Sequence, residues 1–335
     1  MNTNTASHRG PLSRARHHSL HTIAIAGLLL GAAGTAASRA DILYGTNQNA
    51  NTVAKITSAG VASTFVNTGF VITLGLAFDS AGNLFVGDRA GTTIKKFTPG
   101  GVGTVFVPSG SGTLFQPRGM AFDSAGNLYV ANNTNSTIEK FTIGGVGSVF
   151  ASTGVNTPEG LAFDSAGNLF VANGDSTIMK FNTAGVGTLF ANAASGVSNP
   201  FGLAFDGAGN LFVANVGDNT IERFTPGGVG SVYVNNAGNV SVPIGLAFDS
   251  AGSLYVGQQN SGVYKFTGAG AVGAPFGAGA ANEYLAFTND AGVPLPLANQ
   301  VPEPATCAML AAGAASLFAF RRRRSAPLWP KGTPS

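Results

Sequence analysis

The stretch GLAFDSAGNLFVGD, Gly75 to Asp88, returns at Gly119, Gly160, Gly202 and Gly245, and a degenerate sixth copy, YLAFTNDAG, starts at Tyr284. Successive starts are 44, 41, 42, 43 and 39 residues apart. A period near forty residues demands a repeat architecture, because a unit of that size cannot bury its apolar side chains alone and must pack on its neighbours. In the unit from Gly119, four short apolar runs, MAF, LYVAN, STIEKF and GSVFA, are separated by turn clusters. This is the pattern of strands in an all-β protein. The first connection, Asp123-Ser124-Ala125-Gly126-Asn127, offers a carboxylate to bond turn backbone and a glycine for positive φ. The second, Asn132 to Ser136, is polar, and the third is Gly144-Gly145-Val146-Gly147.

Four antiparallel strands per forty residues predict the blade of a β-propeller. Second strands are found from Ile42, Leu84, Leu128, Leu169, Leu211 and Leu254, so the ring has six blades. The register is offset: the chain opens on a second strand at Asp41 and closes on a first strand, Tyr284 to Phe287. Pairing that last strand with the three N-terminal strands completes a mixed blade and leaves only short, protected edges. The fold class is therefore all-β, a six-bladed β-propeller of four-stranded antiparallel blades over residues 41–292. A rival assignment makes Gly292 to Leu297 a further second strand, but Pro294 and Pro296 oppose it, since proline cannot donate to a ladder.

Runs such as Pro158-Glu159-Gly160-Leu161-Ala162-Phe163-Asp164 followed by Gly167-Asn168-Leu169-Phe170-Val171 resemble the blades of NHL-type and streptogramin-lyase-like six-bladed propellers. The resemblance covers Asp41 to Phe287 and implies the fold. Propellers of this kind host lyases, lactonases and binding modules alike, so it does not by itself imply an activity.

Both ends of the chain read as targeting segments. Residues 1–40 combine Arg9, Arg14 and Arg16 with an apolar run, Ile23 to Ala33, and a small-x-small site, Ser38-Arg39-Ala40. That reads as a signal peptide cut by signal peptidase before Asp41, with an uncleaved transmembrane anchor as the alternative, disfavoured because the run is short and rich in Gly and Ala. After a linker, 293–300, Val301-Pro302-Glu303-Pro304 precedes an apolar stretch, Ala305 to Phe320, and then Arg321, Arg322, Arg323 and Arg324. Sixteen helical residues reach roughly 24 Å at about 1.5 Å each, and snorkelling arginines extend that to a membrane span held basic side inward. The order over residues 301–324 resembles the PEP-CTERM sorting signal. The resemblance implies a Gram-negative envelope, transient membrane insertion and cleavage near Pro302-Glu303-Pro304 by an exosortase-type protease. The tail 325–335 falls on the cytoplasmic side. Without processing, the same segment is a plain anchor.

Charge looks different once these ends are set aside. The chain carries a formal net charge of +3, but Asp41 to Pro302 holds nine basic and fourteen acidic residues, a net of −5. No cluster of Lys and Arg marks a nucleic-acid footprint there. All four histidines, His8, His17, His18 and His21, lie in the leader, and the one cysteine, Cys307, lies in the C-terminal span. The exported domain thus has no disulfide and no imidazole for the acid–base step of a streptogramin-type lyase or a Ser-His-Asp hydrolase.

Two recurring sets are candidates for ligand binding. The second strands end on Asn47, Asp88, Asn132, Asn173, Asn215 and Gln258. A rim of amides can bind sugar hydroxyls or a hydrated cation, or each can bond the backbone of its own turn, a role favoured by its recurrence with the repeat. The residues just before the repeated glycine vary: Leu74, Arg118, Glu159, Phe201, Ile244 and, before Tyr284, Glu283. These are expected to converge on the mouth of the central channel. In gluconolactonase-like propellers, Glu-Gly, Asn-Gly and Asp-Gly at such positions supply ligands to a divalent metal, and only Glu159-Gly160 matches here. Two separated carboxylates with an arginine nearby are a poor hard-cation site, so no resident metal or cofactor is expected, with a divalent cation as the alternative, and Arg118 with Glu159 is expected to form a surface ion pair across neighbouring blades that contributes little stability. Lys55, Lys96, Lys140, Lys180, Arg223 and Lys265, with Asp79, Asp123, Asp164, Asp206 and Asp249, read as structural pairs on the opposite face. The GGVG turns lack the Lys-Ser/Thr and helix of a phosphate loop. The expectation is an exported envelope propeller that binds extracellular polysaccharide or a partner protein, or serves structurally. The alternatives are a divalent-metal lactonase-like hydrolase and a streptogramin-lyase-like enzyme.

Overall fold

The computed structural model describes residues 41–67, 69–259, 261–277 and 283–289. They form six four-stranded antiparallel sheets arranged as a ring. Blade I joins Leu285–Asn289 to Asp41–Asn47, Thr52–Ile56 and Ala62–Val66. Blade II holds Thr73–Phe78, Leu84–Asp88, Thr93–Phe97 and Gly103–Val107, and blade III holds Pro117–Phe122, Leu128–Asn132, Thr137–Phe141 and Gly147–Ala151. Blade IV is Pro158–Phe163, Leu169–Asn173, Thr177–Phe181 and Gly187–Ala191, blade V is Pro200–Phe205, Leu211–Asn215, Thr220–Phe224 and Gly230–Val234, and blade VI is Pro243–Phe248, Leu254–Gln258, Gly262–Phe266 and Ala274–Phe276. In each blade the first-named strand is innermost, beside the inner strands of its neighbours.

The mixed closing blade expected from the register offset is present. Asp41 pairs with Asn289 and Gly45 with Leu285, antiparallel. The Asp41 carboxylate also accepts bonds from the Ser250 N–H and Oγ of blade VI, at 2.7 and 2.6 Å. Ring closure thus rests on backbone pairing and a side-chain clasp between residues more than two hundred positions apart.

Blades pack through one repeated aromatic motif. The Tyr129 ring lies edge-on to Phe150 of its own outer strand at 4.9 Å and to Phe163 of the next inner strand at 5.0 Å. Tyr44, Phe85, Phe170, Phe212 and Tyr255 do the same in their blades. Such edge-to-face pairs add about 0.5–1.5 kcal/mol each beyond the area they bury. Over four of these rings sits a lysine: Lys96, Lys140, Lys180 and Lys265 lie about 5 Å from the rings of Phe85, Tyr129, Phe170 and Tyr255. The same four lysines pair with Asp79, Asp123, Asp164 and Asp249 at 3.2–3.8 Å. Those aspartates also accept the backbone N–H groups of their own turns, so this set holds hairpins together on the face away from the channel mouth.

The inner strands begin earlier than the apolar runs MAF and LAF suggest, at the preceding proline or Thr73. Proline is acceptable as the first residue of a strand because it has no N–H to place in the ladder. Immediately after it each of these five strands has a register irregularity: Pro117 faces Asn132 but Met120 faces Val130, so Arg118 and Gly119 together oppose Ala131. The same break occurs after Thr73, Pro158, Pro200 and Pro243. A bulge of this kind re-aims a side chain, and here it affects the variable residue of blades II to VI, whereas the inner strand of blade I pairs in regular register.

The expected signal peptide 1–40, the rival strand 292–297, the linker 293–300, the sorting segment with its apolar stretch 305–320 and the expected cytoplasmic tail 325–335 lie outside the described residues. Among the described residues no helix is long and apolar enough to cross a membrane.

Candidate functional site

The variable residues meet where the bulges place them. Leu74, Arg118, Phe201, Ile244 and Glu283 line one cavity of about 250 Å³ at the end of the ring where inner strands begin. Glu159, the remaining member, sits beside it on blade IV and accepts from Nη1 of Arg118 on blade III. The glycine after each variable residue is what lets the blades come this close. A Cβ on Gly160 would overlap the carbonyl oxygen of Phe201, and one on Gly245 that of Glu283. Only a residue without a side chain fits where two bulged backbones touch.

The sixth position departs from glycine, and the consequence is large. Tyr284, on the lead into the inner strand of blade I, is buried, and its hydroxyl donates across the channel to the backbone carbonyl of Glu159 at 3.4 Å. Blade IV stands opposite blade I in the ring, so the tyrosine spans the channel and gives the cavity a floor. Thr46 fixes this segment: its N–H donates to the Tyr284 carbonyl, its hydroxyl accepts from the Tyr284 N–H at 3.2 Å, and its carbonyl accepts from the Glu283 N–H.

Charge at the mouth is balanced and buried. The Arg118 and Glu159 side chains are only 16% and 7% exposed, which corrects the expectation of a surface pair. Arg118 also lies over the Phe201 ring, 5.7 Å from its centre. The second oxygen of Glu159 accepts from Asn133 Nδ2 at 3.1 Å. Burial pushes the Glu159 carboxyl up to about 7 even though Arg118, Arg89 and Asn133 favour its ionised form. Glu283, 2% exposed, is likewise raised to about 7 by burial, against the pull of Arg118 and Arg89. Tyr284 is raised by burial and by both carboxylates.

Another set of mouth residues is not among those singled out from the repeat: Gln48, Arg89, Asn133, Gly174, Val216 and Gln259, each one place beyond the amide that ends a second strand. Gln48, Arg89, Val216 and Gln259 line the cavity, and Asn133 holds Glu159. The signal was available, since these positions vary between repeats whose neighbours do not.

The amide set lies elsewhere. Asp88, Asn132, Asn173, Asn215 and Gln258 are buried beneath the loops that lead from blade to blade. Asn132 accepts from the Phe115 N–H at 3.1 Å and donates to the Thr113 carbonyl at 2.7 Å, and Asn173, Asn215 and Gln258 repeat this with Asn156 and Gly154, Ser198 and Gly196, and Ser241 and Asn239. Asp88, lacking an N–H₂, accepts from Val71, Ile72 and Gly91 instead. Asn47, half-buried, accepts from Ala50. These side chains stand in for a missing ladder and shape the loops that carry the mouth. Strain collects in the same loops: Gln116, Thr157, Asn199 and Val242, each just before an inner-strand proline, have φ of 54°, 41°, 44° and 46°. A β-branched valine in the left-handed region is costly, and Val242 is held there by a 2.6 Å bond from its N–H to Asn219.

The divalent metal implied by the gluconolactonase resemblance does not fit these residues. Both Glu159 oxygens already accept from Arg118 and Asn133, and the other carboxyl at the mouth, Glu283, shares it with two guanidiniums. Among the described residues no group of three or more His, Cys, Asp or Glu side chains could hold a metal ion.

Known proteins agree with this architecture. A PEP-CTERM protein-sorting motif matches residues 300–324, and a beta-propeller repeat matches residues 103–138. No curated protein matches the sequence. Among solved structures, a virginiamycin B lyase from Staphylococcus aureus superposes with a TM-score of 0.56 at 16% identity, covering 73% of this chain and 87% of that one. A gluconolactonase from Xanthomonas campestris gives 0.57 at 17% identity, covering 74% and 92%. At such identities the likeness concerns the fold. The motif marks the chain for export, exosortase-mediated processing and sorting to the envelope or surface of a Gram-negative bacterium. The chain is a six-bladed β-propeller, of the shape shared by streptogramin B lyases and gluconolactonases, that carries a PEP-CTERM sorting motif near its C-terminus.

Proposed function

We propose that this protein is an envelope binding module whose ligand is an extracellular polysaccharide, gripped at the channel mouth. In this reading signal peptidase removes residues 1–40, the 301–324 segment inserts in the inner membrane, and an exosortase cuts near Pro302-Glu303-Pro304 to release or attach the propeller. The carrying observation is the state of Glu159: its carboxylate is sealed by Arg118 and Asn133, leaving a floored cavity with an apolar wall and a hydrogen-bonding side of Gln48, Arg89, Arg118, Gln259 and Glu283. A glycan array probed with the purified propeller tests this. Binding to acidic or neutral matrix oligosaccharides that disappears on filling the mouth, for instance with Gln48→Trp, supports it; an array with no bound glycan overturns it.

A second reading, a lactonase-like hydrolase, draws on one observation. Two carboxyls raised to about 7 by burial, Glu283 in the cavity and Glu159 beside it, match the acidity that general acid–base catalysis needs. Ring-opening of a sugar lactone by the purified protein, lost in Glu283→Gln, would favour it. A thermal shift series with calcium, magnesium, manganese and zinc separates the metal-dependent version, because an ion bound only by the folded state raises the melting temperature in a saturable way. We expect no shift that depends on Glu159.

A further inference from the structure

The mouth cavity has two unlike sides. Phe201, Val216, Val242 and Ile244, from blades V and VI, form an apolar wall, while Arg89, Arg118 and Glu283 form the polar side. The donors on the polar side are not used up. Arg118 gives one Nη to Glu159, but its buried Nε has no acceptor among the described residues. Arg89 gives its Nε to Gln116 at 3.2 Å, and its Nη groups make no hydrogen bond among the described residues. A buried N–H without a partner is unusual in a native protein and calls for an acceptor. Guanidiniums present forked donors that match a carboxylate, so the missing acceptor is best supplied by a planar anion.

Size narrows the class. Cavities that take drug-sized ligands run from roughly 300 to 1,000 Å³, so about 250 Å³ accommodates a single ring. Resting on the reading of the mouth as a saccharide site, we infer that its preferred ligand is a carboxylated sugar unit, a hexuronate, with the carboxylate on Arg118 and Arg89 and the C–H face of the ring against Phe201 and Ile244. A neutral hexose would fill the same space but leave the arginine donors unmet, and a buried polar group left without its partner is strongly selective.

Glu283 adds a condition. It shares the cavity with the incoming carboxylate, and the groups around it are Arg118 from blade III, Arg89 from blade II, Glu159 from blade IV and the Tyr284 hydroxyl beside it. Above about pH 7 its own negative charge opposes an anionic ligand; below that it is neutral and able to donate.

The test is calorimetric titration of the full chain in detergent with D-glucuronate and D-glucose at pH 5.5 and pH 8. The expected result is tenfold or greater preference for glucuronate at pH 5.5, weakening at pH 8. Arg118→Met should abolish the preference, and because that variant leaves Glu159 unpaired and could fail to fold, the half-exposed Arg89→Met serves as the second variant, with a several-fold loss for glucuronate and little change for glucose. Equal affinity for the two sugars overturns this inference and leaves saccharide binding standing. Absence of binding by either sugar and by any arrayed glycan overturns both. Glucuronate binding that is indifferent to Arg89→Met and Arg118→Met places the ligand elsewhere and also overturns the inference.

Discussion

Glu159 shows how a single residue is governed by competing terms. Burial alone would keep its carboxyl neutral, and Arg118 and Asn133 restore part of the ionised form, leaving it at about 7. Removing one member of a buried pair strands the other, at a cost of about 3–5 kcal/mol, whereas removing both costs far less. Arg118→Met is therefore expected to lower unfolding free energy by roughly 3 kcal/mol at pH 8, with a smaller loss at pH 5 where Glu159 is protonated. The double variant Arg118→Met with Glu159→Leu should recover most of it, and urea titrations at the two pH values measure both effects. A second prediction concerns proton linkage. Glu159, Glu283 and Glu222, which is buried on the third strand of blade V and raised by that burial and by Asp218, all have folded values near 7 against an ordinary 4.5, so between these limits the folded state binds more protons than the unfolded chain. Stability should consequently be full below about 4.5, fall as pH rises towards 7 and level off above it. Asp249 acts in the opposite sense, because its pKa is lowered by bonds from Ser253 and Lys265 that outweigh its burial, and its contribution is lost as pH falls through the acid range. Glu222→Gln should flatten the slope between pH 4.5 and 7; a wild-type stability that increases over that interval would contradict the linkage. Arg118 and Glu159 were visible as variable positions in the repeat, but their burial was not, because exposure depends on how closely neighbouring blades approach.

At the level of elements, the deciding feature is the bulged start of the inner strands of blades II to VI. Proline or Thr73 opens the strand, the next residue turns into the channel mouth, and the glycine after it lies against the neighbouring blade. Gly160→Ala would force a Cβ into the Phe201 carbonyl, where only backbone movement could relieve the overlap. A loss of about 2–3 kcal/mol, or failure to fold, is expected from overpacking of this kind. Gly126→Ala is the matched control: its φ is 81° and nothing lies within 4 Å of the added atom, so its cost should be about 1–2 kcal/mol from the left-handed backbone alone. Chemical denaturation of the pair distinguishes crowding from backbone preference, and equal losses would mean that the close approach of blades is not what the glycine serves. The apolar periodicity located every strand, yet it began the inner ones too late. A bulge interrupts alternation, so the residues that it re-aims look like part of the preceding loop. Apolar alternation likewise passes over Arg89 and its counterparts, which lie one residue past a strand end; only their variation between repeats marks them.

For the molecule as a whole, the joint between its ends matters most. Leu285–Asn289 supplies the inner strand of blade I and lies between blades VI and II, so a chain that stops at Gly277 loses a strand from the axis of the ring together with Tyr284, the floor of the cavity. Such a truncation is expected to unfold at lower temperature with reduced cooperativity and to associate through the strand edge exposed along Asp41–Asn47, as size-exclusion chromatography and thermal denaturation would register. A truncated form as stable and monomeric as the intact protein would show that the closing strand is dispensable. What the amino-acid order determined by itself is the repeat: its period dictated four strands per unit, six units and an offset that only a mixed blade resolves, and its C-terminal end carries a sorting motif. These are local or periodic properties, readable because each depends on residues adjacent in the chain. What only tertiary structure decided is the site. Arg118, Glu159, Glu283 and Tyr284 come from separate blades, and their distances, their burial and the resulting balance between desolvation and charge exist only after the ring has closed.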